Sequence, residues 1–309
     1  LFNLFLSAFS MGTSMLAAQY WGKGDKESLE KILAFVLRIC LIVSFVFFIG
    51  TLCFPRQLMY CFTSESGLIN GGAAYLKASA ISYLLCGVSQ IYLCIMKNTG
   101  YAVKSTLISS TAVIINLSLN AALIFGLWKF PALGIAGAAY ATVIARAVEM
   151  LWAVFDSAGA GRIRLRFRFF LHADHALKTS YRRYSLPILG NQLAWGCGFM
   201  MYSVVMGHMG SDAVAANSIA NIAKNLMICF CIGIANGGSI LIGNELGAGK
   251  LKQAKEYGGK LCRISIAGGI ASGVLLLLCS PVILRVASLN AQASEYLTWM
   301  FFICSYYLV

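Results

Sequence analysis

Charged side chains are scarce in this chain. Only 11% of its 309 residues are Asp, Glu, Lys or Arg, whereas about a quarter of a typical soluble domain is charged. Hydrophobic residues make up 59% of the chain, and its mean hydropathy is +0.77. This shortage of charge excludes an ordinary soluble domain and predicts a polytopic membrane protein.

The apolar runs also lack the strict alternation of apolar and polar residues that marks strands. They are long enough for helices, which need about 20 residues to cross the hydrocarbon layer and satisfy their own backbone hydrogen bonds there. We therefore predict an all-α fold with about nine spans, near residues 1–21, 33–54, 72–96, 104–127, 131–155, 185–209, 216–245, 261–287 and 293–309.

The cysteines and histidines form no pattern typical of a redox, metal or catalytic site. Most of the 11 cysteines lie within apolar runs and none forms a CxxC pair, so we interpret them as small hydrophobic residues. His172, Asp174 and His175 lie together in a polar loop, but no further residue is predicted to complete a fixed set of metal ligands with them. With His208 near the end of a span, they offer no catalytic constellation. The sequence predicts neither a metal site nor an enzyme.

The net charge of +13 does not indicate nucleic-acid binding, because the basic residues cluster in alternate loops. By the positive-inside rule, the richer set is cytoplasmic: Lys23, Lys26, Lys31, Arg38, Lys97, Lys104, Arg162, Arg164, Arg166, Arg168, Lys178, Arg182, Arg183, Lys250, Lys252, Lys255, Lys260 and Arg263. The other side carries Arg56, Lys77, Lys129 and Arg285. This places the loops after Gly22 and Gly247 in the cytoplasm.

Residues 16–31 and 241–256 are similar, and this similarity predicts a duplicated chain. A shift of 225 residues aligns Gly22 with Gly247 and Gly24 with Gly249. The same shift also pairs Gly12 with Gly237, Ser14 with Ser239, Leu16 with Leu241, Arg38 with Arg263, and Ile39 with Ile264. Six predicted spans separate the two loops. Because six is even, the repeats are predicted to be parallel, about an axis along the membrane normal.

The only long polar stretch divides the chain. We predict an N-terminal lobe at 1–155, a cytoplasmic basic connector at 156–184 and a C-terminal lobe at 185–309. The run from Arg162 to Arg168 alternates basic and apolar residues. It suits a segment on the anionic inner leaflet, or a simple positive-inside anchor.

Polar residues inside spans are costly in hydrocarbon and therefore informative. Asn116 and Asn120 share one helical face, and Thr142 lies in the next span beside small residues that allow close helix approach. They serve either as hydrogen-bonding contacts between helices or in function. Arg146 and Glu149 are three residues apart and are predicted to neutralise each other.

A second group is predicted to line a cavity. One set forms a polar stripe at helical spacing, and the other follows Pro187, where a proline loosens backbone pairing. The predicted cavity residues are Asn191, Gln192, Trp195, Asn217, Asn221, Lys224 and Asn225. Lys224 lies deep in its span, so it either lines the cavity or extends toward the interface.

Several stretches resemble the multidrug and toxic compound extrusion (MATE) transporters. They are LAAQYWGKGD, INLSLNAALIFG, LGIAGAAYAT, SLPILGNQLAW, GSDAVAANSIANI and LIGNELGAGKLKQAK. The resemblance implies two six-helix lobes around a central cavity, of which this chain supplies the second to the tenth helix. The chain begins with Leu1 and both ends lie in apolar runs, so we expect the first helix and the last two to be missing.

The resemblance further implies a cation-coupled antiporter that exports amphiphilic or cationic organic compounds by alternating access. Its coupling-cation site corresponds to Asn116, Asn120 and Thr142, with an acidic partner on the missing first helix. Amides do not titrate, so either Na+ is coupled or the group that binds H+ lies on that helix. The carboxylate of the family's second cation site has no counterpart here, because no Asp or Glu lies between Pro187 and Gly210.

We expect a monomer in the plasma membrane, with a small organic substrate, lipid contacts, no nucleic acid, and no cofactor apart from the coupling Na+ or H+. The nearest alternative is a flippase for lipid-linked saccharides, which needs a more cationic cavity than Lys224 and Arg146 provide. A membrane-embedded enzyme is the alternative from another class.

Overall fold

The computed structural model describes residues 2–60, 66–126, 132–159, 162–171, 175–209, 211–287 and 290–308, and no strand occurs among them. Its helices are α1 (Phe2–Gly22), α2 (Lys26–Cys53), α3 (Pro55–Tyr60), α4 (Ser66–Ser79), α5 (Ile81–Asn98), α6 (Ala102–Phe125), α7 (Gly134–Ser157), α8 (Phe167–Leu171), α9 (His175–His208), α10 (Ser211–Gly247), α11 (Leu251–Ala287) and α12 (Ala291–Tyr307).

Each predicted span coincides with one long helix or with the pair α4 and α5, which is bent by 49°. Within the described ranges, five helices are long and apolar enough to cross a membrane, namely α2, α6, α7, α10 and α11, and the bent pair makes six. The all-α membrane fold is confirmed. Nine spans are not confirmed, because α1, α9 and α12 fall short of the same length or apolarity.

The chain forms two compact units, Leu1–Gln192 and Leu193–Val309. The core of the first unit joins α1, α2 and α5 to the start of α9. Tyr181 of α9 lies edge-on to Phe35 of α2, with ring centroids 5.5 Å apart, and its hydroxyl donates to the Phe9 carbonyl at 3.3 Å. The start of α9 therefore belongs to the packing of the first unit.

The second unit packs α10 against α11 and α12. Leu276, Leu297 and Phe301 are buried at its centre. The side of α10 that faces them carries Ala216, Ala220 and Ala223. Small side chains at this spacing let helices approach closely, which is how helices associate in lipid.

The two glycine loops have the same backbone structure. Gly24 and Gly249 lie in the left-handed region, with φ of 78° and 76°. Each helix ends in a Schellman turn. The corresponding backbone hydrogen bonds are Gly24 N to Trp21 O (2.9 Å) and Asp25 N to Tyr20 O (3.0 Å), and Gly249 N to Leu246 O (3.1 Å) and Lys250 N to Glu245 O (3.0 Å). These partners are related by the shift of 225 residues.

The next helix starts differently in the two copies. Asp25 caps α2, since its carboxylate accepts hydrogen bonds from the Ser28 amide at 3.0 Å and from the Ser28 hydroxyl at 2.7 Å. Lys250 holds the equivalent position before α11 and has no acceptor side chain. A side-chain cap therefore stabilises only the first of the two corners.

The basic connector packs against the first unit. Ile163 is buried in the core of that unit, while Arg164 and Arg168 are exposed. Arg162 forms an ion pair with Asp156 and lies over the Tyr101 ring, 4.0 Å from its centroid. The alternation therefore separates a packed apolar side from an exposed basic side. The lipid contact and the three-part division of the chain stay predictions.

Candidate functional site

The three residues predicted for the coupling cation lie together in the first unit. The side-chain amide of Asn120 in α6 donates to the side-chain oxygen Oδ1 of Asn116 one turn earlier, at 3.0 Å. The Asn116 amide donates to the Thr142 hydroxyl of α7 at 3.4 Å, and that hydroxyl donates to the Ala138 carbonyl at 2.9 Å. These contacts link α6 to α7 through uncharged polar groups.

A glycine brings the two helices close at this point. A methyl group on Gly137 of α7 would lie 2.6 Å from the Leu123 carbonyl oxygen of α6. The same carbonyl accepts a hydrogen bond from the Leu133 amide at 2.9 Å. The close approach of α6 and α7 therefore depends on the absence of a side chain at Gly137.

One oxygen in this cluster lacks a donor. Asn120 Oδ1 is buried and has no hydrogen-bond partner among the described residues. Leaving a buried amide oxygen unpaired costs about 1–3 kcal/mol. A hard cation is coordinated by such oxygens, so the residues present fit a coordinating role. They provide neutral oxygens only, since the nearest acid on α7 is Glu149, seven residues after Thr142.

The predicted Arg146–Glu149 pair forms, with Nη1 and Oε2 2.7 Å apart. Glu149 is only 2% exposed, and its carboxylate also accepts a hydrogen bond of 3.0 Å from Ser89 of α5. Sequence reasoning missed Ser89, although a serine within an apolar span was a signal. The cluster ties α5 to α7.

In the second unit, three rings of α9 form a ladder along one side of the helix. Trp195 and Phe199 are stacked, with centroids 5.7 Å apart, and Phe199 and Tyr202 are 6.4 Å apart. All three are exposed within this structure, Trp195 by 61%. Phe199 and Tyr202 were not predicted, although they follow Trp195 at i+4 and i+7, the spacing of one helical face.

The ladder ends at the polar stripe of α10. The Tyr202 hydroxyl donates to the side-chain oxygen Oδ1 of Asn217 at 2.9 Å, and the side-chain amide of Asn221 donates to the same oxygen at 2.9 Å. Lys224 is half-buried and Asn225 exposed on the following turn. The structure thus brings one aromatic helix face next to these amides.

The remaining predicted cavity residues lie in the other unit. Asn191 is exposed on α9, and the Gln192 amide lies 3.5 Å from the Met11 sulfur of α1. Both belong to the first unit, whereas Trp195 and the α10 stripe belong to the second. A single cavity lined by all seven residues therefore stays a prediction.

Metal-binding clusters of three or more His, Cys, Asp or Glu side chains are not found in the described part of the chain. His172 and Asp174 lie outside the described residues, so the HADH segment is not described as a unit.

Long apolar helices with amide, hydroxyl and charged clusters partway along them define a multi-pass membrane protein. The MatE family model matches residues 1–122 and 187–309, and the chain belongs to this family. The resemblance to MATE transporters is therefore confirmed. The same model matches both halves, in line with the duplicated turns.

Two curated relatives cover most of this chain. It is 24% identical over 288 residues to the uncharacterized transporter YisQ of Bacillus subtilis, a match of 90% of this chain and 62% of the relative. It is 27% identical over 302 residues to a probable multidrug resistance protein NorM of Listeria innocua, a match of 95% and 65%. The chain thus spans less than two thirds of the length of these relatives.

The fold is also found in a solved structure, the outward-facing conformation of a multidrug resistance MATE family transporter of the MOP superfamily. The two chains superpose with a TM-score of 0.88 at 19% identity, over 100% of this chain and 68% of the other. The all-α MATE-like fold is therefore confirmed, while the number of spans and the division into lobes stay predictions.

Proposed function

We propose that this chain forms most of a cation-coupled antiporter that exports amphiphilic or cationic organic compounds by alternating access. The relative from Listeria innocua bears the name of a probable multidrug resistance protein, which supports drug export as the activity. We assign the protein to the plasma membrane as a monomer, with the Gly22 and Gly247 loops in the cytoplasm.

The observation that carries the proposal is the unpaired Asn120 Oδ1 in the contact between α6 and α7. A bound cation would supply the missing partner. It would also strengthen the polar part of the contact between α6 and α7, where Asn116 and Thr142 are 3.4 Å apart. A ligand shifts a conformational equilibrium only by its difference in affinity between the two states. Binding here would therefore favour the state in which α6 and α7 are close.

The chemistry of the cluster restricts the ion. The amides and the hydroxyl remain neutral across the physiological pH range, so these three side chains bind Na+ directly but carry no exchangeable proton. Proton coupling would require a carboxylate outside this cluster.

The polar and aromatic face of the second unit supports the choice of substrate. Stacked rings accept flat apolar groups without strict geometry. Met200 and Met201, both exposed on α9, add flexible and polarisable contacts. Such a surface binds many amphiphiles weakly, which suits a carrier that must release its load. A saccharide flippase is less well supported, because Arg146 is already paired with Glu149.

The test uses the full-length transporter reconstituted in vesicles loaded with a fluorescent cationic drug. A Na+ gradient and a H+ gradient are imposed separately. We expect the Na+ gradient to drive drug movement, because the amides and the hydroxyl of this cluster bind Na+ but carry no proton. A drug flux that responds to neither gradient contradicts the coupling.

A matched pair of variants then tests the site. Thr142→Val removes the hydroxyl that links α7 to Asn116. Thr106→Val removes an exposed hydroxyl of α6 that makes the same bond, 2.9 Å to the carbonyl four residues earlier. We expect only Thr142→Val to raise the Na+ concentration needed for half-maximal transport, by about tenfold. If the two variants have equal effects, the cluster has only a structural role and the proposed cation site is wrong.

A further inference from the structure

Lys224 is a cation without a described partner. Within the described part of the second unit, its ammonium forms neither an ion pair nor a hydrogen bond. Its described electrostatic neighbour is the Cys304 thiol of α12. An uncompensated charge at membrane depth is costly, and such residues usually mark the path of a substrate or ion.

The helix geometry keeps acids away from this lysine. On α10, Asp212 is about 18 Å before Lys224 and Glu245 about 31 Å after it, at a rise of 1.5 Å per residue. On α12, Glu295 is about 13 Å along the helix from Cys304, by the same rise. The carboxylates of Glu245 and Glu256 already lie beside Lys250 and Lys260.

Lys224 also extends a surface that is otherwise built for binding. It stands at i+3 from Asn221, on the stripe where the Asn217 oxygen accepts hydrogen bonds from both Tyr202 and Asn221. Those bonds hold Tyr202, which is at the C-terminal end of the aromatic ladder. The surface formed by the α9 rings and the α10 stripe thus combines flat apolar rings, fixed amides and one positive charge.

We propose that this face binds the anionic group, a carboxylate or a sulfonate, of a transported amphiphile. Lys224 is the ion-pair partner, and the rings of Trp195, Phe199 and Tyr202 hold the apolar part. The inference rests on the proposed export function and adds to its substrates amphiphiles that carry an anionic group, zwitterions included.

Charge complementarity is the reason for this choice. Ion-paired hydrogen bonds are roughly twice as strong as neutral ones, and more so where water is scarce. A carboxylate at Lys224 would recover the cost of placing the lysine at this depth, whereas an uncharged or a purely cationic ligand gains nothing from the lysine. The rings bind either kind of compound, so the lysine supplies the selectivity.

The test compares a dansyl-labelled fatty acid with its primary amide, which has the same chain and label but no charge. Both are titrated by fluorescence into the full-length transporter in neutral detergent. We expect the acid to bind more tightly than the amide. Lys224→Gln should weaken binding of the acid by about tenfold or more and leave the amide unchanged. Lys224→Arg, which keeps the charge, should retain binding of the acid.

Lys255→Gln is the matched control, since Lys255 is an exposed lysine of α11. Its affinity for both probes should equal that of the wild type. Equal loss of both probes in Lys224→Gln, or loss of neither, overturns the inference. The titration is repeated with phosphatidylglycerol added to the micelles. Displacement of the acid by this lipid in the wild type but not in Lys224→Gln would identify a lipid site, and it also overturns the proposal.

The two proposals fail separately. If an ion gradient drives export of the amide but Lys224 has no effect on binding of the acid, only the anion site is wrong. If Lys224 selects the acid in detergent but neither gradient drives export of either probe, the coupled export is wrong and the binding site remains.

Discussion

Ser89 of α5 donates a hydrogen bond of 3.0 Å to Glu149 of α7, and this contact joins two apolar helices through a buried carboxylate. The carboxylate is also paired with Arg146, whose side chain is 38% exposed. The charge is therefore neutralised from its own helix and oriented by a neighbouring one.

Removing the charge of Glu149 should destabilise the first unit. Glu149→Gln leaves Arg146, in the middle of α7, without its counter-ion, at a cost of about 3 kcal/mol. Thermal unfolding in detergent measures the loss. The double variant Arg146→Met with Glu149→Leu serves as control and should be closer to wild type. A double variant as unstable as Glu149→Gln contradicts this account.

Gly137 should not tolerate a side chain. Gly137→Ala places a methyl group 2.6 Å from a backbone oxygen, so α6 and α7 must separate. We expect a loss of about 1–3 kcal/mol in unfolding free energy, together with weaker Na+ dependence of transport. Gly233→Ala in α10, where nothing lies within 4 Å, is the control and should be harmless. Wild-type Na+ dependence in Gly137→Ala contradicts the link between this contact and coupling.

The repeated turns should respond alike to the same substitution. Gly24→Ala and Gly249→Ala meet no atom within 4 Å, so their cost comes from the positive φ alone, about 1–2 kcal/mol each. Asparagine at either position should cost less. Gly50→Ala within α2 also meets no neighbour and should be neutral or stabilising. The measurement is thermal unfolding, and a large difference between the two turns would show that they are not equivalent.

The Asp25 cap should make the first corner sensitive to acid. The hydroxyl and the backbone amide of Ser28 hold the pKa of Asp25 below its ordinary value. A lowered folded pKa stabilises the protein above the unfolded pKa of about 3.9, and this stabilisation is lost as pH falls through the folded pKa. Asp25→Ala should therefore cost about 1 kcal/mol at neutral pH and less in acid.

Thermal unfolding at neutral pH and below about pH 3 tests this cap. Asp25→Asn keeps an acceptor for the Ser28 amide but does not titrate, so its stability relative to Asp25→Ala should not change with pH. A deficit of Asp25→Ala that is equally large in acid contradicts the role of the carboxylate.

Much of the fold could be predicted because lipid restricts the backbone to few solutions. The positions of α2, α6, α7, α10 and α11 follow from apolar length alone, since a helix satisfies its own hydrogen bonds. The pairing of Arg146 with Glu149 followed from helical spacing. Spacing on one helix predicts neighbours on that helix, but it does not identify partners on another.

The contacts between residues of different helices could not be predicted from the sequence. The sequence placed Asn116 and Asn120 on one face, and family resemblance added Thr142. The unpaired Asn120 oxygen and the Gly137 contact appear only once α6 and α7 are packed. Ser89 and Tyr202 were missed because a polar group in an apolar span does not by itself identify the residue on another helix that it contacts.

The sequence by itself determined that this protein is helical, lies in a membrane, is duplicated and belongs to the MATE family. Composition, apolar length and motif order are properties of the chain, and they can be determined without knowledge of any tertiary contact. Only the tertiary structure decided which polar groups meet: Ser89 with Glu149, Asn116 with Thr142, and Tyr202 with Asn217. Those pairs depend on how neighbouring helices are rotated and how closely they approach, and small residues such as Gly137 control that approach.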